Sequence, residues 1–170
     1  MKNKKNPYRV FAISIILTCM LALLNGCQNT PSKPQLHVEN IWSRPVEVRQ
    51  ADKTATGSAE NRKRMDYTGI VYFDVRNAGG EADRLIRAKT DVCRAVEIHE
   101  TKVENGRMSM RMLENGMPIP AGETVKFSPG GHHIMLIGVN KSLKIGEKFS
   151  VALEFEKSGT VTVHSEIREY

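Results

Sequence analysis

The sequence predicts one all-β domain that follows an N-terminal export signal. Three observations support this prediction: short β-rich runs alternate with turn signals, no apolar repeat of helical period extends past residue 27, and the first 26 residues have the pattern of a secretory signal. The spacing of runs and turns is typical of a sandwich or a barrel. A length of 170 residues, 40% of them hydrophobic and 26% charged, suits one globular domain and excludes a collagen-like or wholly disordered chain.

Residues 1–26 are predicted to be a lipoprotein signal peptide. A basic stretch precedes 15 mostly apolar residues, Val10–Leu24, which is short for a membrane span. The stretch ends in Leu24-Asn25-Gly26-Cys27, which resembles the bacterial lipobox except that Asn25 replaces the usual small or β-branched residue. We expect Cys27 to be the lipidated first residue of the exported protein. The alternative is an uncleaved membrane helix flanked by Cys27.

Either anchor would hold the domain, residues 36–170, outside the cytoplasmic membrane, facing the periplasm or the cell exterior. Residues 27–35 are polar and contain two prolines, which is typical of a short tether. The formal net charge is +6, but four of the positive charges precede residue 27, so the remainder carries only +2. We therefore expect no nucleic-acid partner. Cys93 alone follows Cys27, so an internal disulfide and a CxxC redox motif are excluded, and we expect Cys93 to be a small buried apolar residue.

Nine runs in the domain have the composition and spacing of strands. They are His37–Trp42, Gly69–Arg76, Arg84–Ala88, Ala95–Val103, Arg107–Leu113, Thr124–Phe127, His133–Ile137, Phe149–Phe155 and Thr160–Ile167. Glycine-containing turn signals separate most of them. The polar segment Arg49–Arg64 is predicted to be a flexible loop with solvated charges.

The fourth and fifth runs are predicted to form a hairpin. Asn105-Gly106 between two alternating runs is a strong signal for a two-residue type I′ turn. That turn places His99 opposite Met112 and makes Met110 a diagonal neighbour of His99. Since Ile98 is a natural core residue, we expect His99 to point away from the core, toward water or a partner.

Methionines share the outward face of this hairpin, which is an unusual use of an apolar side chain. They are Met108, Met110 and Met112. Thioether sulfur and imidazole nitrogen are soft to borderline ligands, and thioethers favour Cu(I) over Mg²⁺ or Ca²⁺. A second pair of such ligands occurs in His133-Ile134-Met135, because residues two apart on a strand point to the same face. Ile134 and Leu136 alternate with this pair and are expected in the core.

This pattern resembles the periplasmic Cu(I)-binding chaperones of the PCu(A)C family. Their motif is a His, a Met 11 residues later, and an H-x-M about 22 residues further on. His99 and Met110 keep the first spacing, and Met110 precedes His133 by 23 residues, with the extra residue assigned to the Glu114–Gly116 turn. Further matching stretches are Trp42–Pro45, Gly69–Arg87, Pro118–Gly122 and Pro129–Met135. Thr101 stands where members often carry another Met.

The resemblance implies a cupredoxin-like Greek-key β-sandwich that holds Cu(I) through His99, Met110, His133 and Met135. It also implies delivery of copper to an acceptor protein, a subunit of cytochrome c oxidase or one of its assembly factors. Two alternatives stay open: a copper buffer or resistance lipoprotein, and a metal-free surface interaction module.

Several other residues suit ordinary structural roles. His132 is expected in a loop or beside the ligands, and His164 on the surface. No catalytic carboxylate pair, Ser-His-Asp order or phosphate-binding loop is evident, and a blue-copper site would need a Cys ligand. We therefore expect no enzymatic activity.

Overall fold

Ten β-strands form the framework of the domain in the computed structural model, which describes residues 33–48, 67–104 and 106–169. The strands are β1 (Leu36–Ser43), β2 (Thr68–Asn77), β3 (Asp83–Lys89), β4 (Cys93–Glu104), β5 (Arg107–Met112), β6 (Met117–Ile119), β7 (Thr124–Phe127), β8 (His132–Val139), β9 (Lys148–Phe155) and β10 (Gly159–Ile167). No helix occurs in these ranges, so none is long and apolar enough to cross a membrane. The predicted all-β class is confirmed.

Each of the nine predicted runs corresponds to a strand, and the three-residue strand β6 was missed. It contains Pro118 and is too short to show an alternating pattern, and it forms by pairing with β3. The predicted signal peptide, Cys27, most of the tether and the loop Arg49–Arg64 lie outside the described residues.

The strands form one continuous hydrogen-bonded sheet that folds over a single core, with β5 and β6 at its two ends. Their order is β5-β4-β8-β7-β2-β1-β10-β9-β3-β6, with a further pairing of β8 with β2. Inward side chains from β2 and β8 pack in the same cluster as those from β3 and β9. Phe73 and Phe127 stack at its centre with ring centroids 4.3 Å apart. This arrangement agrees with the predicted sandwich.

Asp83 ties the start of β3 to the turn between β9 and β10. One carboxylate oxygen accepts the backbone N–H groups of Arg84 and Lys157, and the other accepts the N–H and hydroxyl of Ser158. Burial opposes ionisation of Asp83, but these hydrogen bonds, led by the Ser158 hydroxyl, hold the pKa of the carboxyl below its usual range. The turn of the β9–β10 hairpin is therefore fixed to the start of β3, the strand that pairs with β9.

A β-bulge in β1 turns Trp42 onto the outer side of the sheet. Val38 pairs with Val75, whose side chain is fully buried, whereas after a register shift Trp42 pairs with the outward Tyr72. The extra residue lies near Asn40, which has a φ of 53°, a left-handed conformation that asparagine tolerates. Without this bulge, Trp42 would point into the core.

We predict that Asn40→Val lowers the free energy of unfolding by about 1–2 kcal/mol, because a β-branched residue resists the left-handed conformation. Asn40→Gly should lower it less, since glycine adopts a positive φ readily. Denaturant unfolding followed by the fluorescence of Trp42, the single tryptophan, measures both changes. Equal stabilities of the two variants would contradict the role assigned to the bulge.

Candidate metal centre

Strand β4 lies between β5 and β8, and the two ladders align three histidine and methionine side chains in one row. His99 pairs with Met112 on β5 and with His133 on β8. Paired residues of an antiparallel ladder share a face, so Met112, His99 and His133 lie side by side on the outer face. The predicted hairpin register is confirmed by the pairing of Glu104 with Arg107; Asn105 itself lies outside the described residues.

The other two predicted ligands flank this row on the same face. Met135 pairs with Glu97, and Met110 pairs with Thr101, so each methionine is a diagonal neighbour of His99. The ring centroids of His99 and His133 are 5.7 Å apart. The fold therefore brings all four residues proposed from the sequence to one patch of three adjacent strands.

The patch is closed on its histidine side and open on its methionine side. His133 is buried and the side chain of His99 is only 12% exposed, whereas Met110 is 58% exposed. Met135 is intermediate, and Met108 and Met112 are exposed. His99 lies on the outer face of the sheet, as predicted, but its side chain is largely buried and not open to water.

Aromatic rings form a second packing layer beside the histidines. The ring centroids of Trp42 and Tyr72 are 4.8 Å apart, and those of Tyr72 and His133 are 6.5 Å apart. The guanidinium of Arg168 lies 5.0 Å from the centroid of the Trp42 ring. Both aromatic residues are buried, yet neither belongs to the inner core. These two rings therefore pack on the outer face beside His133.

Hydrogen bonds define which nitrogen of each imidazole carries its proton. Carbonyl and carboxylate oxygens only accept, so His133 Nδ1 donates to the Gly131 carbonyl at 3.1 Å and His99 Nε2 donates to Glu97 Oε2 at 2.7 Å. The remaining nitrogens, His133 Nε2 and His99 Nδ1, are buried and have no hydrogen-bond partner in the described part of the chain. In the neutral imidazoles, these two nitrogens carry free lone pairs.

The donors present favour a soft metal ion. No group of three or more His, Cys, Asp or Glu residues in the described ranges is arranged to hold a metal. Beside the two imidazoles, the same face offers the thioether sulfurs of Met110 and Met135, a ligand class that favours Cu(I). Burial lowers the pKa of His133, and the neighbouring His99 and His132 lower it further, against the opposing effect of the Gly131 hydrogen bond. His133 therefore keeps its lone pair free to a lower pH than an ordinary histidine does.

The remaining candidates lie elsewhere. His132 opens β8 on the opposite face, with its ring centroid 6.1 Å from that of Phe127. His164 is exposed on β10 and pairs with the hydroxyl of Ser150. Cys93 is free and half-buried, and it packs against the core.

Glu97 and Tyr72 lie in the candidate site but were not predicted from the sequence. Glu97 could have been found, because it lies two residues before His99 and so shares its face. Tyr72 belongs to a strand whose position beside β8 no local pattern indicates.

Comparison with known proteins identifies the family. The family model described as "Putative lipoprotein LpqE-like" matches residues 36–167, nearly the whole described domain. The chain belongs to this LpqE-like family. A relative from Leifsonia xyli subsp. xyli, "Putative lipoprotein Lxx21020", is 31% identical over 122 residues, which is 72% of this chain and 74% of the relative. "Uncharacterized protein RP573" from Rickettsia prowazekii is 25% identical over 126 residues, 74% of this chain and 62% of the relative.

Solved structures share the fold of this LpqE-like domain. A "Copper-bound PCuAC domain from PmoF2" superposes with a TM-score of 0.57 at 24% identity, covering 79% of this chain and 93% of that domain. The solution structure of "CuI-DR1885" from Deinococcus radiodurans gives a TM-score of 0.53 at 21% identity, covering 87% of this chain and 85% of that protein. The predicted resemblance to PCu(A)C domains is confirmed at the level of the fold.

We predict that the pKa of His133 in the metal-free LpqE-like domain lies below its ordinary value of about 6.5. The folded state then binds this proton less readily than the unfolded state. The contribution of His133 to the free energy of unfolding is therefore full above that value and falls as the pH drops through it. An NMR titration in the presence of a chelator measures the pKa. Chemical denaturation from about pH 5 to about pH 8, the range in which an ordinary histidine titrates, measures the free energy of unfolding. This free energy should depend less on pH in His133→Gln than in the wild type. Titration of His133 at or above its ordinary value would contradict the prediction.

Proposed function

We propose that this domain is a copper chaperone that binds one Cu(I) ion through His99, Met110, His133 and Met135. The observation that carries the proposal is the pair of adjacent imidazoles with free, buried nitrogens. A buried polar atom without a partner costs about 1–3 kcal/mol, so two of them on one patch need a compensating role. A bound metal ion supplies that role, because it accepts the lone pair of each nitrogen.

The sulfur ligands decide which metal fits best. Met110 and Met135 are the diagonal neighbours of His99 on its two sides, so one thioether is available from each flanking strand. Two imidazoles and two thioethers form a neutral, soft ligand set that suits Cu(I). The descriptions of two similar solved structures, which name bound copper or CuI, support this choice.

In the proposed function, the protein binds and transfers copper outside the cytoplasmic membrane and has no enzymatic activity. Residues 1–26 would direct export, Cys27 would carry the lipid, and residues 27–35 would tether the copper-binding domain to the membrane. The lipoprotein descriptions of the family and of the Leifsonia relative support this anchor.

Release of copper is proposed to begin at the methionine side. Met110 is more than half exposed, whereas both imidazoles are covered, so an incoming ligand from an acceptor meets the thioether first. Exchange of a neutral thioether for a cysteine or histidine of the acceptor transfers Cu(I) without a change of oxidation state. The acceptor implied by the family resemblance is a subunit of cytochrome c oxidase or one of its assembly factors.

The chain from Gln28 onward contains every described strand and is the protein to titrate with Cu(I) under anaerobic conditions against a chromophoric chelator. We expect one Cu(I) per chain. Mutation of residues that only support metal ligands typically weakens metal binding about 10–100-fold. A Met110→Leu/Met135→Leu variant removes two proposed ligands and should weaken Cu(I) binding by at least this factor. Leucine keeps the volume of methionine, so stability should change little.

Met108→Leu is the matched control, because Met108 lies on the same face of β5 but pairs with Val103 at the exposed end of the hairpin. Its Cu(I) affinity should equal that of the wild type. If Met112→Leu lowers the Cu(I) affinity more than Met110→Leu does, the ligand from β5 is Met112 and not Met110. Absence of Cu(I) competition by the wild type would overturn the copper assignment and favour a metal-free interaction module.

A carrier differs from a copper buffer by transferring its metal to a partner. We predict that copper passes from the Cu(I)-loaded domain to a metal-free copper-accepting domain of cytochrome c oxidase faster when the two proteins are mixed than when a dialysis membrane separates them. Size-exclusion chromatography with metal analysis of each protein measures the transfer. Equal rates with and without direct contact would favour the buffer or resistance role.

A further inference from the structure

Glu97 is a carboxylate inside the candidate copper patch to which neither the ligand motif nor the comparisons give a role. It lies on β4 two residues before His99 and pairs across the ladder with Met135. Its side chain is 35% exposed, and its Oε2 atom lies 2.7 Å from His99 Nε2. It thus touches one proposed ligand and is the cross-strand partner of another.

The contact determines the chemical state of the His99 ring. A carboxylate offers no hydrogen to donate, so the shared hydrogen belongs to His99 Nε2. A neutral imidazole carries only one N–H, which leaves the lone pair on Nδ1, and Nδ1 is the His99 atom that is buried without a partner. Glu97 therefore selects both the tautomer and the direction in which the ring presents its lone pair.

His133 shows the same arrangement with the opposite nitrogen. There the Gly131 carbonyl accepts from Nδ1, and Nε2 is the free atom. Metal-bound histidines commonly donate their second nitrogen to a carbonyl or carboxylate, which holds the ring in place and raises its basicity. The two rings are therefore prepared in different tautomers by two different acceptors.

Glu97 is less suited to bind the metal itself. Its Oε2 oxygen already accepts the His99 hydrogen, and a carboxylate is a hard ligand that matches Cu(I) poorly. The described residues also contain no set of three His, Cys, Asp or Glu side chains arranged for a metal.

We propose that Glu97 is a positioning residue that makes His99 bind Cu(I) through Nδ1 while His133 binds through Nε2. This inference rests on the proposed copper function. Glu97 holds the His99 ring in its binding orientation before the metal arrives, so the site does not have to select one tautomer and one ring rotamer at the moment of binding. Loss of the carboxylate leaves the ring free to present either nitrogen.

The test compares the wild-type chain from Gln28 onward with Glu97→Gln and Glu97→Ala. Long-range ¹H–¹⁵N NMR spectra of the metal-free proteins report which nitrogen of His99 carries hydrogen, and spectra with Cu(I) report which nitrogen binds. Chelator competition measures the affinity. Glu104→Gln removes a carboxylate from the exposed end of the same strand and is the matched control.

We expect the wild type to show a single Nε2–H tautomer of His99 and Cu(I) on Nδ1. Glu97→Ala should show mixed tautomers and Cu(I) binding weakened about 10–100-fold. Glu97→Gln keeps an accepting oxygen and nearly the same shape, so it should retain part of the tautomer preference and part of the affinity. Glu104→Gln should match the wild type in both measurements.

The outcomes separate this inference from the copper assignment. Cu(I) bound to Nε2 of His99, or wild-type tautomer and affinity in Glu97→Ala, would overturn the role of Glu97 while leaving copper binding intact. A wild type that binds no Cu(I) would overturn the proposed function and with it the role in metal binding. If Glu97→Ala does not fold, Glu97→Gln still tests the role of the carboxylate, because glutamine has nearly the same shape as glutamate.

Discussion

The outer-face row of histidine and methionine side chains depends on the need to bury the inner face of the same strands. Ile98, Ile134 and Leu136 fill the core, so their neighbours on β4 and β8 must point outward. A shift of either strand by one residue would move the imidazoles into the core and expose these aliphatic side chains to water. The hydrophobic effect on one face therefore holds the register of the candidate ligands on the other.

The site combines a prepared half with an accessible half. Two largely buried imidazoles each donate a hydrogen bond to a fixed acceptor, and the aromatic layer of Trp42 and Tyr72 packs beside His133. The thioethers of β5, by contrast, extend from an exposed edge strand. Rigid ligands reduce the entropy that is lost on binding, and exposed ligands allow exchange. A protein proposed to carry copper needs both properties, and here they are assigned to different strands.

Local pattern and long-range packing contributed differently to what could be predicted. The hairpin of β4 and β5 followed from Asn105-Gly106 and the alternation around it, because a two-residue turn determines every pair along both strands. The short strand β6 could not be predicted, since Met117–Ile119 carries a proline and is held by its pairing with β3. The bulge that turns Trp42 outward was likewise hidden, because Asn40 in a strand gives no signal of its own.

The sequence by itself determined the all-β class, the alternation of faces, the hairpin register and the identity of the four candidate ligands. Only the tertiary structure decided that β8 lies beside β4, that the histidine rings are covered, and that Glu97 holds His99. The physical reason is that side-chain alternation and turn chemistry act over a few residues and are written in local pattern. The pairing of strands more than thirty residues apart, and the burial that results, depend on how all ten strands share one core.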